Sequence, residues 1–221
     1  MNSDIKDKIL DTIVDMLRTP IIQHRYGEYP HVYFVTRPKC KVYVGSGSYS
    51  NKFYPIKISS QKNQTLTIGK YTSIGDSLNL IMSGGHNYEL LTTYPFRYLF
   101  RKNMKTFSSG NINIGNDVWI GSDVTIVGGN KNIKIGDGVV IGSKSLITSK
   151  QKLDDYGIYA GIPVKLIKYR FDRITIKKLK KLKWWDLPKQ FLINNLELFY
   201  EKDPDKVIKE LNKEINKGIN K

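Results

Sequence analysis

The chain has 221 residues, 40% of them hydrophobic, which is enough for one core and leaves no need for two. Its single cysteine, Cys40, excludes an internal disulfide framework and suits a reducing compartment. A formal net charge of +16 predicts attraction to anionic partners, but no nucleic-acid recognition motif accompanies it, so nucleic acid is not an expected partner.

At the start of the chain, Ile5, Ile9, Ile13 and Met16 recur at helical spacing, predicting a short helix over residues 4–17 that ends before Pro20. This charged, amphipathic stretch lacks the uninterrupted apolar run of a signal peptide, and no later stretch is long enough to span a bilayer. A cytoplasmic location is therefore expected. Residues 1–40 read as an N-terminal helical and extended segment, and 41–170 as the main domain.

That domain is marked by six Ile-Gly pairs, beginning at Ile68, Ile74, Ile114, Ile120, Ile135 and Ile141. Successive members within each pair lie six residues apart, a period that is neither a strand's alternation nor a helix's 3.6, and that marks a parallel β-helix. The isoleucines should point into the coil, together with the residue four positions on: Thr72, Leu78, Val118, Val124, Val139 or Ser145. The glycines after the isoleucines are expected to turn the corners with positive φ, which costs them least. One short strand per hexad cannot bury its apolar side alone, so coils must stack. Val44-Gly45 adds an earlier coil.

Residues 82–111 interrupt the repeats, and a long loop inside a compact fold points to function. It carries Ser83-Gly84-Gly85-His86, in which the glycines allow close backbone approach and the histidine can exchange a proton near neutrality; Glu89 lies near enough to orient the ring. After residue 171 the apolar spacing becomes helical, through Ile174, Leu179, Leu182 and Trp185, then a second set past Pro188, then a helix opening at Asp203-Pro204 with Asp203 as its cap. The lysines of 177–183 read as a solvated helix face.

Several stretches together resemble the hexapeptide-repeat acyltransferases of the left-handed β-helix type, in the branch of xenobiotic acetyltransferases and sugar O-acetyltransferases. They are Ile68-Gly69-Lys70-Tyr71-Thr72-Ser73-Ile74-Gly75, His86 and Glu89 followed by Thr92-Thr93-Tyr94-Pro95-Phe96, and Gly115-Asn116-Asp117-Val118-Trp119-Ile120-Gly121. Ala160-Gly161-Ile162-Pro163-Val164-Lys165 and Lys183-Trp184-Trp185-Asp186 resemble the branch's closing segments. The implied fold is mainly β, a left-handed parallel β-helix with an extended loop and C-terminal α-helices. The implied reaction is acetyl transfer from acetyl-CoA to a hydroxyl, in a cleft between subunits of a homotrimer. The resemblance makes His86 the general base and gives Glu89 the task of orienting His86 or the acceptor. It puts Trp119, Ser122, Ser143, Thr148, Lys165 and Lys168 along the CoA site, and Tyr94 and Phe96 at the acceptor.

Departures from the family pattern are a three-residue insertion within 128–132, Ile162 in place of an asparagine, and an insertion over 52–64. A long polar acceptor suits the basic, aromatic part of the loop. A sugar of a surface polysaccharide or its precursor is therefore the first expectation, with peripheral contact to an anionic membrane surface; an antibiotic hydroxyl, of the chloramphenicol or streptogramin type, is the alternative. A metal-dependent β-helix enzyme would draw several histidines from its coils, whereas this chain has His24, His31 and His86, two of them ahead of the repeats, so no metal is expected.

Overall fold

The computed structural model describes residues 31–35, 37–86, 89–100, 110–129 and 131–219. The helix expected at 4–17 and the basic part of the excursion over 101–109 lie outside the described residues. The described chain divides into two units, Met1–Lys168 and Tyr169–Lys221.

In the first unit the chain winds as a three-faced coil. Strands β1 (Lys41–Val44), β2 (Tyr49–Ser50) and β3 (Lys57–Ser59) make one turn, and β4 (Thr65–Ile68), β5 (Ser73–Ile74) and β6 (Asn79–Ile81) make the next. They are followed by β7 (Ile112–Ile114), β8 (Trp119–Ile120) and β9 (Thr125–Val127), then β10 (Ile133–Ile135), β11 (Val140–Ile141) and β12 (Leu146–Thr148). Each strand pairs in parallel with its counterpart one turn away, as in Ile68 with Ile114 and Ile120 with Ile141. Three sheets result: β1-β4-β7-β10, β12-β9-β6-β3, and a six-stranded sheet in which β13 (Gly157–Gly161) and β14 (Val164–Tyr169) extend β11-β8-β5-β2. Bridges from His31 to Tyr49 and Phe34 to Ile56 begin the pairing ahead of β1, and a bridge from Ile135 to Leu153 carries it beyond β12.

The interior follows the hexads. All six isoleucines are at most 3% exposed, and the residues four positions on are at most 1% exposed. Burying each isoleucine contributes roughly 1.5–3 kcal/mol, a gain available only once a neighbouring coil covers the strand. The polar members of this interior are satisfied by backbone: Ser48 Oγ donates to Gly69 O at 2.6 Å, and Thr72 Oγ1 donates to Gly115 O at 3.0 Å.

The corners depart from expectation. None of the six hexad glycines has positive φ; the left-handed residue comes two positions later, at Tyr71, Ser77, Asp117, Asp123, Gly138 and Lys144, with φ between 53° and 66°. Five of the six, all but Gly142, serve close approach of backbones instead. A Cβ on Gly115 would stand 2.6 Å from Gly136 O, and one on Gly121 would stand 2.6 Å from Ser143 N. The stacked backbones leave no volume for a side chain there.

Offsets between equivalent residues on successive coils are 24, 46, 21 and 18, measured from Ser48 to Thr72, Lys70 to Asn116, Asn116 to Asp137, and Asp137 to Asp155. Eighteen is three hexads without insertion. The offset of 21 contains the bulge over 128–132, and the offset of 46 contains the excursion, whose described part includes a short helix, α1 (Phe96–Phe100). Asparagine and aspartate side chains bridge successive coils: Asn116 Oδ1 accepts from Lys70 N, Asp137 Oδ1 from Asn116 N, and Asp155 Oδ1 from Asp137 N, at 2.8, 2.8 and 2.9 Å.

The second unit is helical, with α2 (Arg173–Leu182), α3 (Lys189–Asn194) and α4 (Pro204–Ile219). Leu179, Trp185, Leu192, Ile208 and Leu211 are buried in it. Asp172 caps α2, accepting from Ile174 N at 2.8 Å and Thr175 N at 3.0 Å, and Asp203 accepts from Asp205 N at 3.0 Å at the start of α4. The lysine-rich face of α2 is exposed, and Lys178 reaches Asp205 at 2.7 Å.

Candidate functional site

The excursion leaves the coil after β6 and re-enters before β7. Ser83 Oγ lies 3.2 Å from Ser59 Oγ, and the chain then turns through Gly84 at φ 105°, a conformation that favours glycine. His86 follows, exposed to solvent. Its Nδ1–H donates to the carbonyl of Thr93 at 2.6 Å. A carbonyl only accepts, so the neutral ring carries its proton on Nδ1 and leaves the Nε2 lone pair to take a proton from elsewhere.

Thr93 was invisible to side-chain motif reading because it acts through its backbone. Glu89, the orienting group expected from sequence, is exposed three residues beyond His86. The next stretch is apolar and open. Tyr94 and Phe96 meet edge to face at 4.7 Å between centroids, and Phe96 stacks on Phe100 at 5.9 Å. These rings are 50%, 55% and 73% exposed, and Leu90, Leu91 and Leu99 beside them in sequence are exposed as well.

The residues expected along the CoA site lie on several faces of the coil. Trp119, 59% exposed, stands in an outward column of the six-stranded sheet with Tyr49, Ser73, Val140 and Ile158. Ser122 and Ser143 share one corner on adjacent coils. Ser122 Oγ accepts from Asp76 N at 3.3 Å, and its carbonyl accepts from Lys144 N at 2.8 Å. Thr148 ends β12 on a different sheet, above Val127, and its hydroxyl donates to Gln151 Oε1 at 2.7 Å. Lys165 and Lys168 are both exposed on β14, and strand alternation sends them to opposite faces. The structure therefore gathers Ser122 with Ser143, and Tyr94 with Phe96, but does not gather the two lysines on one face. Among the described residues, no three His, Cys, Asp or Glu side chains group as metal ligands. Cys40 is buried, and burial pushes its thiol up from the ordinary range, which disfavours the reactive thiolate.

No family model matches the chain. It is 42% identical over 131 residues to a chloramphenicol acetyltransferase of Morganella morganii, a match covering 56% of this chain and 60% of that one. It is 38% identical over 141 residues to a probable macrolide acetyltransferase of Lysinibacillus sphaericus, covering 60% and 76%. A galactoside O-acetyltransferase of Escherichia coli K12 is 31% identical over 144 residues, covering 65% and 61%. The chain thus spans 60% of the length of the chloramphenicol acetyltransferase and about three quarters of the macrolide relative. With the hexad-lined coil and its histidine-bearing excursion, this similarity places the sequence: the chain belongs to the hexapeptide-repeat (left-handed β-helix) acetyltransferases, in the branch of xenobiotic and sugar O-acetyltransferases.

Proposed function

We propose that this protein transfers an acetyl group from acetyl-CoA to a hydroxyl of an antibiotic-like xenobiotic, with His86 as general base. The observation that carries the chemistry is the Nδ1–H bond to Thr93 O, which leaves Nε2 free on an exposed loop. The acceptor hydroxyl attacks the thioester carbonyl carbon while its proton passes to Nε2. The tetrahedral intermediate then collapses, the C–S bond breaks, and the imidazolium returns the proton to the departing thiolate. Ester and free CoA thiol are the products. A base positioned in this way contributes about a hundredfold to ten-thousandfold. Backbone N–H groups are the proposed donors to the oxyanion.

Glu89 in this reading orients His86 or the acceptor, and Tyr94 and Phe96 contact the acceptor. Trp119, Ser122, Ser143 and Thr148 contact the pantetheine arm; Lys165 and Lys168 meet the nucleotide phosphates, one from each face of β14. The outward column around Trp119 is where a neighbouring copy in a homotrimer would pack. No described helix is long and apolar enough to cross a membrane, and action in the cytoplasm, with contact to anionic membrane surfaces, is part of the proposal.

The choice of acceptor reverses the sequence expectation of a polysaccharide sugar. Chloramphenicol and macrolide acetyltransferases are the more similar relatives, and the described face of the excursion is apolar and aromatic, which suits a compact apolar acceptor. A saccharide is the second reading, supported by the 31% identity to the galactoside enzyme. Release of free CoA thiol from acetyl-CoA, measured with chloramphenicol, macrolides, galactosides and nucleotide sugars, separates them. Turnover with the drugs is expected. Turnover confined to saccharides overturns the acceptor, and no thiol release with any hydroxyl overturns the activity.

A further inference from the structure

The excursion has a neck, and a side chain assigned no role above closes it. Gln64 is 1% exposed, and its amide nitrogen donates to Met82 O at 2.7 Å and Gly110 O at 2.8 Å, the residues at which the excursion departs and returns. Its Oε1 accepts from Gln61 N at 2.7 Å, so both donor hydrogens and the acceptor are engaged. Gly128 and Gly129 complete the clasp: Gly128 N donates to Ile81 O at 2.9 Å, and Gly110 N donates to Gly129 O at 3.1 Å. A Cβ on Gly110 would collide with the Lys131 carbonyl, so the return strand is seated directly on the bulge. Gly128, Gly129 and Lys131, from the insertion that departs from the family pattern, thus form the other half of this clasp.

We propose that Gln64 is a positioning residue for His86: by tying both feet of the excursion with one carboxamide, it fixes where the loop emerges and holds the imidazole against Thr93 O. The proposal takes His86 as the base from the reading above. His86 lies four residues beyond Met82; Ser83 meets Ser59, and Gly84 and Gly85 then follow with open space around them, so the anchored foot sets where that path begins. Chemical catalysis is sensitive at this scale, because a misplacement of about 1 Å can cost on the order of a hundredfold in rate.

Two variants test it. Gln64→Glu keeps the shape and the acceptor but turns an oxygen toward both carbonyls; Gln64→Met removes the bonds without adding charge. The readouts are kcat and KM, and the 15N imidazole resonances of His86, assigned by their loss in His86→Ala. The expected result is a kcat lowered on the order of a hundredfold with KM for acetyl-CoA unchanged, and a neutral His86 ring that no longer holds its proton on Nδ1. Wild-type kcat and wild-type ring resonances in either folded variant overturn the proposal. Failure of both variants to fold makes Gln64 a residue of coil assembly and overturns it too. If the wild-type protein turns over no acceptor, the reading of the activity fails, and the ring resonances alone decide whether Gln64 holds His86.

Discussion

Replacing Gly121 by alanine and Lys144 by glycine, separately, puts the logic of the coil corners to a quantitative test. The two residues sit at the same corner on adjacent coils, where Ser122 O accepts from Lys144 N. At Gly121 a new Cβ would stand 2.6 Å from Ser143 N and 2.9 Å from Ile141 O, against about 3.5 Å for relaxed non-bonded heavy atoms. The coils must part locally. Overpacking of this kind costs about 1–3 kcal/mol, and loosening the 2.8 Å bond from Gly121 N to Ile141 O costs about 1 kcal/mol more. Alanine returns about 0.4–1 kcal/mol by restricting the unfolded chain, leaving a net loss of about 1–3.5 kcal/mol, centred at about 2. At Lys144, with φ 59°, glycine removes a left-handed penalty of about 1 kcal/mol and adds a similar unfolded-state entropy, for a net change within about 0.5 kcal/mol. With a urea slope of about 2 kcal/mol per molar, Gly121→Ala lowers the unfolding midpoint by about 1 M at fixed protein concentration, and Lys144→Gly leaves it in place. A midpoint for Gly121→Ala equal to or above that for Lys144→Gly would refute the close-approach argument.

Phe96→Ala removes an exposed ring that touches Tyr94, and raises the acceptor KM by about tenfold, or about 1.4 kcal/mol, with the acetyl-CoA KM unchanged; steady-state kinetics with both substrates varied reads it. Asp172 is held below the usual carboxylate range, first by the Thr175 hydroxyl and then by the backbone N–H groups of α2. Because its folded value is the lower one, its contribution is present above the unfolded carboxylate range and lost as pH falls through the folded value. Acidification should therefore lower the urea midpoint of the helical signal, and Asp172→Asn, which keeps a capping side chain, should flatten that dependence. Cys40, with its thiol raised by burial, should react with a disulfide reagent far more slowly than free cysteine in the native protein and promptly in urea; prompt native reaction would contradict its placement.

Much of the coil interior was legible because the period of six marked twelve inward positions, all of them buried, and isoleucine has little reason to repeat that way unless buried. What the glycines do was not legible. Their neighbour is another coil, and nothing within a single hexad distinguishes a corner that needs left-handed φ from one that needs an absent side chain. The Leu153 coil escaped because Leu-Asp replaces Ile-Gly, although its offset of 18 from Asp137 to Asp155 is the most regular in the chain. His86 stood out as a proton-transfer group in a glycine-rich interruption. Its partner did not, since a backbone carbonyl leaves no mark on the residue type that carries it. Gln64 read as the last residue of an insertion, and only the folded neck shows its amide spanning Met82 and Gly110. The lysines of β14 illustrate the converse: spacing made them neighbours in sequence, and strand alternation parts them. The saccharide expectation came from the basic and aromatic character of 94–105, of which 101–105 lie outside the described residues, and similarity to the chloramphenicol and macrolide enzymes favours the alternative acceptor.

The most direct measurement of the central claim is acetyl transfer to chloramphenicol by the wild-type protein and by His86→Ala, read as ester product and CoA thiol together, alongside CoA binding by calorimetry. The wild type should give product and thiol in equal amounts, and the variant should keep its CoA affinity while its kcat falls by at least about a hundredfold. Undiminished turnover in His86→Ala would contradict it.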